Sequence, residues 1–184
     1  VQGSQAGNYV VEVANGASPS PVLSSNATLT VTYPVANVRL FGTNIVSGRP
    51  VTLPIRIAAN GNENAVSFSL TYTTTRLNFR TVQLGDFPPG TLLFVNTSQT
   101  NLGRLGVTVA LPSGATFVPG TQLLSGVTFD AIISLAVSPV ITQVSFGDSP
   151  MVRGLTDGNA LTLPATFTGG SVTLSGTDLE GDDS

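Results

Sequence analysis

Short runs of alternating apolar and polar residues recur along the whole chain, while the three-to-four-residue spacing of an amphipathic helix is almost absent. In the run 51–58, Val, Leu, Ile and Ile alternate with Thr, Pro, Arg and Ala. In the run 65–72, Val, Phe, Leu and Tyr alternate with Ala, Ser, Ser and Thr. Successive side chains of a strand point to opposite sides of its sheet, so each run predicts a strand with one buried and one solvated face.

Between residues 38 and 174, turns rich in Gly, Pro and Asn separate about ten such runs. Short strands at this spacing are typical of a two-sheet sandwich. The predicted fold class is therefore all-β, with two antiparallel sheets arranged as a jelly roll. The predicted strands are Val38–Phe41, Val51–Ala58, Ala65–Tyr72, Asn78–Leu84, Leu92–Val95, Leu105–Leu111, Thr121–Ile133, Val140–Phe146, Ala160–Leu163 and Gly170–Leu174.

A shorter section precedes this sandwich. Its runs Tyr9–Ala14 and Ala27–Tyr33 flank a bridge of Gly, Ser and Pro and predict a β-hairpin. A hairpin alone is marginally stable in water, so its apolar face needs a cover. We expect either that the chain is a piece of a longer protein or that another subunit completes the hairpin by strand addition. The side chains expected to form this assembly surface are Tyr9, Val11, Val13, Leu29 and Val31.

These patterns divide the chain into a hairpin over residues 1–35, a sandwich over residues 36–176 and an acidic tail over residues 177–184. The tail contains four of the ten acidic residues and the hairpin contains one. All seven Arg lie in the sandwich, which is therefore slightly basic. The four acidic residues of the tail make the formal net charge of the chain negative, at −3. We expect the tail to be a solvated linker.

The residue types that are absent exclude several kinds of chemistry. The 184 residues include no Cys, His, Trp or Lys. This excludes disulfides, metals held by His or thiolate, Cys/His nucleophile–base pairs and Schiff-base lysines. A pI near 4.6 argues against a nucleic-acid partner. No run approaches the roughly 18 apolar residues of a membrane span, so no membrane insertion is expected.

The remaining carboxylates predict no catalytic site. A glycosidase needs two carboxylates roughly 5–9.5 Å apart, and nothing in the sequence pairs the four candidates, Asp86, Asp130, Asp148 and Asp157. Asp148, Asp157 and Asn159 could form a small calcium site, because hard cations take oxygen ligands. Ordinary turn chemistry selects the same residue types and is the alternative. No other cofactor is expected.

Sugar binding by ring stacking needs exposed aromatic side chains. Trp is absent, and Tyr72 lies in phase with the buried positions of its run. Phe87 and Phe94 lie in the segment 86–95 and could be exposed there, but Phe side chains are more often buried.

Residues 5–15, with the sequence QAGNYVVEVAN, resemble the F strand of bacterial immunoglobulin-like repeats, whose pattern is D-x-G-x-Y-x-C-x-V-x-N. The Gly, Tyr, Val and Asn of that pattern match, while Gln5 replaces the Asp and Val11 stands at the Cys position. The resemblance implies that Tyr9 forms a tyrosine corner, with its hydroxyl bonded to the backbone just upstream. It also implies that residues 27–33 form strand G.

Residues 38–174 resemble the cohesin family, the nine-stranded sandwich modules of bacterial scaffolding proteins. Several weak motifs carry this resemblance, and they occur in the family's order and at its spacing. The matching stretches are GRPVTLPI at 48–55, AVSFSLTY at 65–72, LGDFPPG at 84–90, GRLGV at 103–107, GVTFDA at 126–131, VSFGD at 144–148, DGN at 157–159 and GSVTL at 170–174.

The cohesin resemblance implies a binding module, because cohesins hold a calcium-loaded dockerin on one flat sheet face. The Asn and Asp that the family's third strand places on this face correspond to Ala65 and Ser67, so both polar anchors are missing here. The residues that we expect to contact a partner are Ser67, Ser69, Thr71, Arg104 and Thr108.

The function expected from these observations is that of a secreted or cell-surface bacterial module without catalysis. It would mediate protein–protein scaffolding, with a dockerin-like module or identical subunits as partners. One alternative is a structural or adhesive fibre subunit assembled by strand addition from the hairpin. Another is a carbohydrate-binding module in polysaccharide breakdown, with a polysaccharide as ligand.

Overall fold

The computed structural model describes residues 5–14, 21–132 and 139–176. The chain divides into two compact units, Val1–Pro34 and Val35–Ser184. The predicted acidic tail, residues 177–184, and the last residue of the predicted strand Thr121–Ile133 lie outside the described residues.

The first unit is an antiparallel hairpin made of two short ladders. Strand β1 (Gly7–Tyr9) pairs with β4 (Ala27–Leu29), and β2 (Glu12–Val13) pairs with β3 (Val22–Leu23). The predicted pairing of two chain arms is present, and the side chains of all four strands are exposed.

The sequence predicted one uninterrupted strand on each arm of this hairpin, and the structure corrects both. The amide of Val11 donates to the hydroxyl of Ser24 at 2.9 Å, and the amide of Ser24 donates to the carbonyl of Val11 at 2.9 Å. A side chain here replaces a backbone partner, so the ladder is interrupted. The second arm begins at Val22 and ends at Leu29, so the predicted strand over residues 30–33 is wrong.

The second unit is a sandwich of two sheets, as the alternation predicted. Its strands are β5 (Ala36–Leu40), β6 (Thr43–Val46), β7 (Pro50–Ala59), β8 (Ala65–Thr71), β9 (Leu77–Leu84), β10 (Leu92–Asn96), β11 (Arg104–Ala110), β12 (Gly120–Ala131), β13 (Val140–Gly147), β14 (Gly154–Thr156), β15 (Ala165–Thr168) and β16 (Gly170–Ser175). The β7 sheet has the order β15-β5-β7-β12-β9. The β8 sheet has the order β10-β11-β8-β13-β16-β6, and β14 also pairs with β8.

The core lies between the inner faces of these sheets and follows the predicted alternation. On β7, Val51, Leu53, Ile55 and Ile57 are at most 5% exposed, while the intervening Arg56 faces solvent. Burying one such aliphatic side chain contributes about 1.5–3 kcal/mol. The all-β architecture therefore rests on period-two burial of Val, Leu, Ile and Phe in both sheets.

Two segments of the chain cross from one sheet to the other at glycines. β5 lies in the β7 sheet and continues past Gly42 as β6 in the β8 sheet, and β15 continues past Gly169 as β16 in the same way. A Cβ atom on Gly42 would lie 2.1 Å from the carbonyl oxygen of Ser171, and one on Gly169 would lie 2.6 Å from that of Val144. These crossings require Gly because the two backbones approach too closely for any side chain.

The strands β6, β14 and β15 were not predicted, and the predicted strand Ala160–Leu163 is wrong. The carboxylate of Asp157 accepts the amides of Asn159 and Leu161, both at 2.9 Å, and this turns the chain where the pattern indicated a strand. Leu163 is nevertheless buried, so the apolar positions of this run reflect core packing without regular pairing.

Candidate functional site

The predicted partner-binding residues lie together on the outer face of the β8 sheet. The antiparallel register of β8 and β11 sets Arg104 opposite Thr71 and Thr108 opposite Ser67. Ser69 lies between them, opposite Gly106. Cross-strand partners share a face, so the register alone assembles these side chains.

A loop covers the middle of this face. Residues 148–153 connect β13 to β14, which both pair with β8, and the loop passes over β8 between those pairings. The hydroxyl of Ser69 donates to the carbonyl of Met151 at 2.7 Å and accepts the amide of Met151 at 2.8 Å. The hydroxyl of Ser67 donates to the carbonyl of Val152 at 2.9 Å.

The cover changes which predicted residues face solvent. Ser69 is 0% exposed, and Ser67 and Thr108 are half-buried. Thr71 and Arg104 remain exposed. The sequence could not show this, because the loop lies more than 80 residues from Ser69 along the chain.

An ion pair holds the two ends of this loop together. Arg153 donates through Nε and Nη2 to the two carboxylate oxygens of Asp148, at 2.9 and 2.8 Å, and its amide donates to the same carboxylate at 2.9 Å. These bonds, the side-chain ones first, lower the pKa of Asp148 to about 2 and raise the pKa of Arg153. The hydroxyl of Ser149 also bonds Oε1 of Gln99 at 3.1 Å, which ties the loop to the chain before β11.

Met151 fills the space above the face that Gly106 leaves open. A Cβ atom on Gly106 would lie 2.6 Å from Cγ of Met151 and 3.2 Å from Cβ of Asn96. The sulfur of Met151 also accepts the hydroxyl of Thr108 at 3.6 Å. The Met side chain therefore forms part of the new surface, and a thioether adapts readily to a partner's shape.

Next to Met151, three exposed apolar side chains form what we call the apolar strip: Leu92, Phe94 and Val152. They are 58%, 50% and 69% exposed. Phe94 on β10 lies opposite Thr108 on β11, which lies opposite Ser67 on β8. The hydroxyl of Ser67 bonds the carbonyl of Val152, so the strip extends across these three strands. Leu92 and Val152 were not predicted as site residues. Leu92 could have been predicted from the alternation within β10, which turns both Leu92 and Phe94 outward.

Of the two Phe residues considered for sugar stacking, Phe87 packs edge-on against Phe117, with ring centroids 5.5 Å apart. Phe94 is half exposed, contrary to the expectation of a buried position for it.

The predicted calcium ligands are engaged in contacts within the chain. Asp148 binds Arg153, and Asp157 accepts backbone amides in the turn that includes Asn159. Within residues 5–14, 21–132 and 139–176, no group of three or more acidic, His or Cys side chains is placed to hold a metal ion. Both sites show turn and ion-pair chemistry, and calcium binding stays a prediction.

The predicted assembly residues lie on the hairpin of the first unit. Tyr9, Val11, Val13 and Leu29 are exposed, and Val31 is half-buried. The hydroxyl of Tyr9 donates to the carbonyl of Gln5, four residues upstream, which is the hydrogen bond of a tyrosine corner. The immunoglobulin-like identity of this unit stays a prediction.

No protein-family model and no curated protein sequence matches the chain. The solved structures that match include the seventh ScaB type I cohesin from Pseudobacteroides cellulosolvens, with 20% identity over 80% of this chain and 96% of that chain and a TM-score of 0.65. A type I cohesin–dockerin complex from Clostridium thermocellum has 13% identity over 80% and 98% of the two chains and a TM-score of 0.67. A non-cellulosomal cohesin from the archaeon Archaeoglobus fulgidus has 12% identity over 79% and 94% and a TM-score of 0.63.

These likenesses confirm that the second unit has the cohesin-like jelly-roll fold. The described residues contain no helix with the length and hydropathy of a membrane span.

Proposed function

We propose that the chain is a non-catalytic protein-binding module that docks its partner on the outer face of the β8 sheet, across β10, β11 and the loop 148–153. The observation that carries this proposal is the apolar strip of Leu92, Phe94 and Val152 beside Met151. Exposed apolar residues that cluster on a rigid face are typical of the centre of a protein interface.

The rigidity of this face supports the same function. Ser67 and Ser69 fix the backbone of the loop, and Arg153 with Asp148 closes its ends. A partner would therefore meet side chains that are already ordered, and binding would cost little conformational entropy.

The proposed partner is a dockerin-like module. Solved chains of the same fold have been crystallised in dockerin complexes. Ala65 and Ser67 replace the polar anchors that the cohesin resemblance implies, and the hydroxyl of Ser67 is bonded to Val152. We therefore propose that apolar contacts with Phe94 and Val152 contribute most of the affinity. An extracellular or cell-surface location is part of this proposal, because scaffolding by cohesins takes place there.

A pull-down with purified, calcium-loaded dockerin modules tests the proposal. We expect capture that is lost when a chelator is added, because the calcium belongs to the dockerin. Val152→Asp should abolish capture, since a charge in the strip would be desolvated without a partner. Val118→Asp is the matched control, because both valines are 69% exposed. Equal capture by the two variants, or no capture of any dockerin, would contradict this function.

Assembly into a fibre is a second candidate, and the hairpin of the first unit is the observation that favours it. Its strands expose Tyr9, Val13, Val22 and Leu23, and Val11 is exposed between β1 and β2. Among the described residues, each of these strands pairs on one side only. Such edges can accept a strand from another copy. Light scattering over a wide concentration range tests this candidate. Mass that rises with concentration, and that falls back to the monomer for Val11→Asp, supports it; a monomer throughout excludes it.

A further inference from the structure

The outer face of the β7 sheet contains a groove that the proposed protein-binding function does not use. It lies over β5, β7 and β12, has a volume of about 170 Å³ and is lined by Asn37, Arg39, Phe41, Arg56, Ala58 and Thr121. The β7 sheet forms the other side of the sandwich core from the β8 sheet, so this groove and the apolar strip lie on opposite outer faces.

Two like charges meet at this groove. Arg39 and Arg56 are directly opposed partners in the antiparallel pair of β5 and β7. In the described part of the chain, the ion pairs are Arg80 with Asp130 and Arg153 with Asp148, and neither groove arginine has a carboxylate partner. Like charges directly opposed on neighbouring strands destabilise a sheet. An anion bound between them would offset that cost.

The surroundings of the pair are suited to hold an anion in place. The Arg39 guanidinium lies 4.9 Å from the centroid of the Phe41 ring, which orients it by a cation–π contact. On the same strand as Arg39, the side-chain amide nitrogen of Asn37 donates to the hydroxyl of Thr166 on β15 at 2.7 Å, and Asn37 also lines the groove. Ala58 also lines the groove, and its small side chain occupies little of the space there.

We propose that this groove binds the carboxylate-bearing sugar unit of an acidic polysaccharide. Two guanidinium groups suit one carboxylate, because each presents a planar fork of donors. Asn37 and Thr121 supply the amide and hydroxyl groups that hydrogen-bond sugar hydroxyls. The volume is smaller than the roughly 300–1,000 Å³ of a drug-sized site, so one sugar ring is the appropriate occupant.

The position of the groove favours a sugar over an acidic peptide. β5 pairs on both sides, with β15 and β7, and β7 pairs on both sides, with β5 and β12. The two strands that carry the arginines therefore offer no free edge to the backbone of a peptide, and the nearest edge strand is β15. A uronic acid carries its charge and its hydroxyl groups on one ring, and so matches the arginines and the polar lining together.

The test is calorimetric titration of the full chain with trigalacturonate, a trimer of a uronic acid, and with its fully methyl-esterified form. We expect saturable binding of the acid that weakens as salt is added, and none of the neutral ester. Arg39→Gln and Arg56→Gln should each weaken binding at least about tenfold, the loss expected for a charge-assisted pair. Arg49→Gln is the charge-matched control, because this exposed arginine directly precedes β7 and lies outside the groove.

Several results would overturn the proposal. These are no binding of trigalacturonate, equal binding of its methyl ester, or equal weakening by Arg49→Gln. A triglutamate peptide is titrated in parallel, and tighter binding of that peptide than of the sugar would assign the groove to acidic proteins instead. Unfolding midpoints of all variants are measured alongside, and a lowered midpoint for Arg56→Gln would show that the pair is structural. The proposal is independent of dockerin capture, so either can fail alone.

Discussion

The two outer faces of the sandwich arise from the same alternation of residues but differ in what lies over them. On the β8 sheet, the outward hydroxyls of Ser67 and Ser69 bond a loop from a distant part of the chain, and Ser69 is buried. On the β7 sheet, the outward Arg39 and Arg56 stay exposed at an open groove. Alternation thus determines which side chains leave the core, while tertiary contacts determine which of them can meet a partner.

The largest effect on stability is expected from the contact between β8 and its loop. Ser69→Ala should lower the free energy of unfolding by about 2 kcal/mol, because it leaves the amide and carbonyl of Met151 without their partner. Ser125 on β12 is the matched control. It is equally buried, and its hydroxyl has no partner among the described residues. Ser125→Ala should therefore leave the stability unchanged or raise it by about 1 kcal/mol. Equal losses for both variants in urea unfolding would show that the loop is not held as described.

Acidification should also destabilise this loop, with a smaller effect on the free energy of unfolding than Ser69→Ala. The pKa of Asp148 is about 2 in the folded chain and 3.8 ordinarily, because Arg153 stabilises the carboxylate. A lowered pKa means that the stabilisation is fully present above the ordinary value and is lost as the pH falls towards 2. Asp148→Asn should remove this part of the acid dependence, and Arg153→Gln should do the same. Urea unfolding midpoints measured across this pH range check this prediction. If the midpoint changes with pH in the same way for the original chain and both variants, the prediction is contradicted.

The smallest effect is expected on the open face. Arg56→Gln should raise the free energy of unfolding by about 0.3 kcal/mol, because it removes a like-charge opposition across two strands. Arg80→Gln should change it in the other direction, since Arg80 lies 3.1 Å from Asp130 in an exposed ion pair. Thermal unfolding of the two variants at low salt measures the difference in sign. The same sign for both would mean that Arg39 and Arg56 do not repel each other.

Much of the fold could be predicted from the sequence, because period-two burial depends on local order alone. The run that contains Val51 and Ile57 shows this, since its inward and outward positions agree with the structure. The crossings at Gly42 and Gly169 could not be predicted in this way. They depend on close approaches to Ser171 and Val144, which are distant in sequence.

The candidate site was predicted only in outline. The outward positions of Thr71 and Arg104 follow from alternation, but the contribution of Val152 depends on where a loop folds. The opposition of Arg39 and Arg56 likewise requires the register of two strands, which neither strand specifies alone. Side chains could thus be assigned to faces from the sequence, and their neighbours across strands and loops could not.

The outer face that a bound partner covers can be measured directly. Hydrogen exchange is measured on the free chain and on the chain saturated with a calcium-loaded dockerin module that it captures. The difference shows which backbone amides of both sheets the partner protects. We predict slower exchange in β10, β11 and the loop 148–153, and no change in β5 and β7. Protection of β5 and β7 with none in β10 and the loop would contradict the assignment of the partner to the β8 sheet.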